Sequence, residues 1–163
     1  MKIKLAGAFL LFCLSWLPQN SWATCATCTC SITQAQADNV AFGNYQPFSS
    51  GDIDVTGTIE VQCSLLLSLG GSIALKLSMG SSGSYTTRTM KSGSNSLNYN
   101  LYSDSSRTTI WGDGTGAPLV TRTIALGLLF VSFTNTVYAR LPAGQTTAAV
   151  GDYSDTITLT VEW

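Results

Sequence analysis

The chain has 163 residues, eight basic and nine acidic side chains, and no histidine. The missing histidine excludes Ser–His–Asp triads, Cys–His pairs and His-ligated zinc. Without a basic stripe there is no footprint for nucleic acid, and none is expected as a partner.

The first element in chain order is a targeting segment. Lys2 and Lys4 make a positive n-region, residues 5–17 an apolar run, and Ser21-Trp22-Ala23 presents small residues at the two positions a signal peptidase checks. The run falls short of the ~20 apolar residues of a membrane span. Residues 1–23 are read as a cleaved signal peptide and residues 24–163 as one mature domain. Cys13 leaves with the signal. Thr24, not Cys25, follows the cleavage site, which is not the lipoprotein arrangement. Loss of Lys2 and Lys4 leaves six basic and nine acidic residues, a net charge of −3.

Four cysteines remain: Cys25, Cys28, Cys30 and Cys63. Export leads to an oxidising compartment, where disulfides are the default. Four cysteines allow three pairings. Cys63 stands alone in mid-chain and must bond back to the N-terminal cluster if all four are paired. Cys30–Cys63 with Cys25–Cys28 is the expected set. A loop of the Cys30–Cys63 span stabilises a fold by roughly 3–4 kcal/mol on the chain-entropy model. C-x-x-C-x-C as a metal site lacks any histidine and competes with oxidation, so no metal or cofactor is expected.

Beyond the cysteine cluster almost every segment alternates with period two. Val55, Gly57, Ile59, Val61 and Cys63 share one face. Ile73, Leu75, Leu77 and Met79 follow. Leu97, Tyr99 and Leu101 then alternate with Asn98, Asn100 and Tyr102. The run 125–133 reads as a buried strand, and Phe133, Val137, Ala139 and Leu141 lie on one face of the next. Turn residues stand between: Gly70-Gly71, Gly80-Ser81-Ser82-Gly83, Gly112-Asp113-Gly114 and Pro142-Ala143-Gly144. The Gly/Ser-rich stretch 81–96 reads as a long loop. In the tail, residues 153–163, Ile157, Leu159, Val161 and Trp163 alternate with Thr158, Thr160 and Glu162. A tail strand with nothing after it leaves an open edge, and open edges recruit other chains. Short strands between turns predict an all-β sandwich.

Catalytic candidates are few. Asp104, Asp113, Asp152 and Asp155 supply carboxylates for a glycosidase-type pair, yet each lies among Gly, Ser or Asn-type turn residues, where Asp ordinarily caps a turn. Gly112-Asp113-Gly114 is too short and too poor in oxygens for an EF-hand loop. Tyr102 and Trp111 offer a sugar platform, and hence the alternative of a self-contained secreted carbohydrate-binding module, although such residues are more often packing residues of a sandwich. No enzymatic activity is expected.

Six pieces in register carry a family likeness. They are Cys30 followed by Val40-Ala41-Phe42-Gly43-Asn44-Tyr45; Gly57-Thr58-Ile59-Glu60-Val61-Gln62-Cys63; Leu97-Asn98-Tyr99-Asn100-Leu101-Tyr102; Trp111-Gly112-Asp113-Gly114; Val137-Tyr138-Ala139-Arg140-Leu141-Pro142-Ala143-Gly144-Gln145; and Gly151-Asp152-Tyr153-Ser154-Asp155. Over nearly all of residues 30–163 the chain resembles the spore coat protein U family, which includes subunits of archaic chaperone–usher pili. The resemblance implies an incomplete immunoglobulin-like β-sandwich lacking its last strand. It implies a structural subunit of a surface fibre or coat, with adhesion or biofilm formation among the roles open to such a product. The implied partners are a periplasmic chaperone, an outer-membrane usher and neighbouring pilin or coat subunits. The implied route runs through the periplasm of a Gram-negative bacterium to the cell surface. Ile157, Leu159, Val161 and Trp163 would border the groove that accepts a donated strand, and the chain without that strand is expected to be unstable or aggregation-prone. Residues 24–29 lack alternating large apolar side chains, so the chain is expected to accept a strand and to donate a poor one or none. That would place it at a fibre end or in a coat.

Overall fold

The computed structural model describes residues 28–35, 40–65, 71–125 and 129–163. Eight strands occupy them: β1 (Cys28–Ala35), β2 (Ile53–Leu65), β3 (Gly71–Leu77), β4 (Arg88–Ser92), β5 (Asn95–Tyr102), β6 (Val120–Ile124), β7 (Phe130–Leu141) and β8 (Leu159–Glu162). The only helical element among the described residues is one 3-10 turn, Gly80–Ser82.

The strands form two antiparallel sheets, ordered β1-β2-β7-β5-β4 and β6-β3-β8. The fold is an all-β, immunoglobulin-like sandwich. Its spine is the β2–β7 ladder, in register from Ile53↔Leu141 to Ser64↔Phe130. Both strands put every second residue inward. Ile59, Val61 and Cys63 meet Val137, Ala139 and Leu141 in the core, with Ile73, Leu75 and Leu77 of β3 facing them. The Cys30–Cys63 disulfide joins direct cross-strand partners of β1 and β2. Cys28 is also disulfide-bonded. Cys25, its expected partner, lies outside the described residues, as do the signal peptide and residues 24–27.

Three expectations change. The stretch 81–96 is not one loop: it contains β4, which pairs with β5 from Arg88↔Tyr99 to Ser92↔Asn95. Its inward residue is an arginine, so period-two hydrophobicity does not reveal it. The run 125–133 is not one strand. β6 ends at Ile124 and β7 begins at Phe130, whose side chain is 69% exposed. The tail alternates over 153–163 as read, but only Leu159–Glu162 forms a ladder, on Leu77–Ala74 of β3. Before that the tail touches the other sheet, at Ser154↔Lys91. A segment crossing between sheets stays extended, and so keeps its alternation, without a continuous partner strand.

Candidate functional site: a groove between the sheets

The two sheets are unequal. At about 4.8 Å between strands, five strands are about two strand widths broader than three. The smaller sheet therefore cannot roof the whole inner face of the larger one. The result is a groove of about 620 Å³. Its floor is Ile59, Val137, Leu101 and Tyr99 of the large sheet, and Leu77 of β3 reaches it from the opposite side. One wall is Ile32 of β1 with Val40, Ala41 and Phe42. Ile32 is 43% exposed although it sits on the inward side of its strand. Phe42 stands edge-on to Tyr99, with ring centroids 5.9 Å apart.

The tail forms the other wall, tied down at intervals. The Ser154 N–H donates to Lys91 O (3.0 Å), and the Lys91 N–H donates back to Ser154 O (2.8 Å). Asp155 Oδ1 accepts from the N–H groups of Ser81 and Thr156, both at 2.9 Å, and Oδ2 accepts from Tyr99 Oη at 2.6 Å. Thr158 is bonded on both backbone groups to Ser78, through Oγ and N–H. Between these ties the backbone of Ile157 makes no hydrogen bond among the described residues. The same holds for Val40 and Ala41 on the opposite wall. Two unpaired stretches of chain thus face each other across an apolar gap. Backbone groups left so are normally satisfied by water or by another strand.

A model of the spore coat protein U domain matches residues 19–160. The chain belongs to the spore coat protein U family. Protein U of Myxococcus xanthus is 34% identical over 146 residues, covering 81% of this chain and 76% of that one. Among solved structures, the fold is similar to a chain of the CsuC–CsuE chaperone–tip adhesion subunit pre-assembly complex from the archaic chaperone–usher Csu pili of Acinetobacter baumannii. The TM-score is 0.53 and the identity 23%, over 83% of this chain and 40% of that one. It is similar also to a chain of a chaperone–tip adhesin complex of CFA/I fimbriae biogenesis, with TM-score 0.51 and 12% identity, over 85% of this chain and 43% of that one. At these identities the likeness is one of fold, and the chain spans about two-fifths of the length of those solved chains.

The structure separates the family-implied groove residues. Ile157 and Leu159 line the groove. Val161 is half-buried opposite Leu75 in the β3–β8 ladder, and Trp163, one residue past β8, is 40% exposed; neither belongs to the lining. Sequence reasoning did not assign the opposite wall, Ile32 and residues 40–42. The signal there was the Val40-Ala41-Phe42 motif, which has too few residues to show a period.

The acidic candidates divide as well. Asp104 accepts from Ser106, Thr108 and Thr109 of its own loop, and these bonds hold its carboxyl well below the usual range. Asp113 accepts from the N–H and Oγ1 of Thr115, which lowers its pKa to about 2. Both cap turns. Asp152 is exposed. Asp155 departs from the turn-cap reading, because two of its donors, Ser81 and Tyr99, are distant in sequence. Burial, and after it the bond to Asp155, holds the Tyr99 phenol far above its usual value.

Trp111 is no sugar platform. It is 1% exposed, and its Nε1 donates to Leu75 O of β3 (2.9 Å) while its N–H donates to Leu101 O of β5 (2.9 Å). It links the two sheets from a position outside the groove lining. Arg88 lies beside it, fully buried. Arg88 Nε and Nη2 donate to Ser78 O, Nη2 also to Trp111 O, and Nη1 to Asn100 Oδ1, with the guanidinium over the Tyr85 ring. Burial pulls its pKa below the usual guanidinium value, opposed by Tyr99, Tyr85 and Asp155.

Proposed function

We propose that this chain is a non-catalytic subunit of a chaperone–usher-assembled surface fibre or coat, and that its groove accepts a β-strand from another chain. The supporting observation is the apolar groove bordered by Ile157 and Leu159, with unpaired backbone on both walls. An incoming strand would satisfy that backbone and cover the inner face that the three-stranded sheet leaves bare, which is β-augmentation. Burying an aliphatic side chain is worth ~1.5–3 kcal/mol, so four or five donated residues would supply on the order of 10 kcal/mol before ordering costs. That is comparable to the stability of a whole domain. On this reading a periplasmic chaperone supplies the strand first, and an outer-membrane usher passes the subunit to its neighbours. Val161 and Trp163 extend the acceptor strand beyond the groove. Residues 1–23 direct export, residues 24–163 form the assembled domain, and the product stands on the cell surface.

The test is export of the full chain into a Gram-negative periplasm, with and without the chaperone encoded nearest to it. Recovery as a complex only when the chaperone is present is expected. A soluble monomer of undiminished yield without it would refute the reading.

A further inference from the structure

Among the described residues the groove has one charged lining residue, and it sits on the tail. The inward-facing residues of the tail run Tyr153, Asp155, Ile157, Leu159, and all four line the groove. Among the described residues Asp155 takes part in no salt bridge. Oδ1 accepts two N–H groups, but Oδ2 accepts only Tyr99 Oη and keeps an acceptor site. Arg88, the buried cation with which Asp155 interacts through charge alone, directs its donors to Ser78, Asn100 and Trp111 and none to Asp155. A strand laid along the tail would take water from this carboxylate, and a carboxylate that loses water without a paired charge is costly. An opposite charge directly across the strand pair is favourable, and the methylene stem of Lys or Arg packs on apolar neighbours while its head reaches the acid.

Building on the strand-acceptor reading, we propose that Asp155 is a specificity-determining residue. It selects a donor strand that carries Lys or Arg at the inward position facing it, with apolar side chains at the alternate positions facing Ile157 and Leu159. The partner is thus not merely hydrophobic and alternating. It has a basic residue at one end of its apolar series, and that residue sets the register in which the strand docks.

The probes are synthetic alternating Val/Thr peptides. Lys, Leu or Glu is placed at each inward position in turn, and the peptides are titrated into the full chain with fluorescence anisotropy as readout. At one position the Lys peptide is expected to bind about fivefold tighter than its Leu counterpart, and the Glu peptide more weakly than either. The Lys advantage over Leu should shrink in 0.5 M NaCl and disappear in Asp155→Asn. The wild-type comparison and its salt dependence stand even if Asp155→Asn fails to fold. Equal binding of Lys and Leu peptides at every position would overturn the inference and leave strand acceptance standing, as would a Lys preference that survives in Asp155→Asn. Failure of every peptide to bind would overturn both.

Discussion

The two flanks of the sandwich are built from the same large sheet and finished in opposite ways. On one, the chain supplies its own closure. Trp111 spans from Leu75 to Leu101, and Arg88 fills the space beside it with each of its three nitrogens donating to an acceptor of the chain. On the other, Ile59, Val137 and Leu101 form a comparable apolar floor, but among the described residues no strand covers it, and the backbone of Ile157, Val40 and Ala41 makes no hydrogen bond. A sheet with such a floor needs a cover. The difference teaches where this molecule closes its own core and where, on the proposed function, another chain would complete it.

The contrast breaks most visibly at Trp111. Trp111→Ala removes a fully buried ring and the link between sheets, and is expected to cost about 3–5 kcal/mol. Chemical denaturation should show that loss whether or not a strand occupies the groove. Arg88→Met keeps the volume but orphans the carbonyls of Ser78 and Trp111 and leaves the Asn100 amide oxygen with the Leu101 N–H alone. A loss of about 3 kcal/mol is expected in the same measurement.

Gly80→Ala sharpens the other side of the comparison. Gly80 has φ +66°, which an L side chain rarely adopts, and a Cβ there would meet the Asp155 carboxylate and lie 2.8 Å from Ile157 Cδ1. Both side chains must move from their seats beside the 3-10 turn. A loss of about 1–3 kcal/mol and weakened strand capture are expected, with the Trp111 flank unchanged by near-ultraviolet circular dichroism.

Acid should produce the smallest effect. Asp113 titrates at about 2 through its bonds to Thr115, and Asp54 is lowered by its bond to Arg140. A carboxyl with a depressed folded-state pKa adds stability that is full above its ordinary value of 3.8 and is lost as pH falls through the folded value. These exposed groups therefore contribute above about pH 4 and cease to do so toward pH 2. A slightly lower Tm at pH 2.5 than at pH 5 is expected. Added salt should narrow the difference for the Asp54–Arg140 pair.

These regions also differ in how far the sequence disclosed them. β2, β3, β5 and β7 bury one face, and simple alternation located them, together with the Cys30–Cys63 bridge. β4 stayed hidden because its inward residue is Arg88, whose burial depends on acceptors from three other segments. Asn100 read as an outward residue but is buried, because it accepts from that same arginine. Trp111 reads either as a packing residue or as part of a surface platform, because an aromatic residue in a Gly-rich turn gives no sign of which way it faces; its burial bears out packing. In the groove, Ile157 and Leu159 were legible from the tail's period and the family likeness. The opposite wall and the role of Asp155 were not, since both come from the chain crossing between sheets, and a crossing has no period.

Hydrogen–deuterium exchange on the full chain, alone and with an alternating strand peptide bound, tests the central claim most directly. Strong new protection confined to residues 40–42 and to Asp155 and Ile157 of the tail, with the Trp111 flank protected equally in both states, is the predicted result. Full protection of both stretches before any peptide is added, or no change on binding, would contradict it.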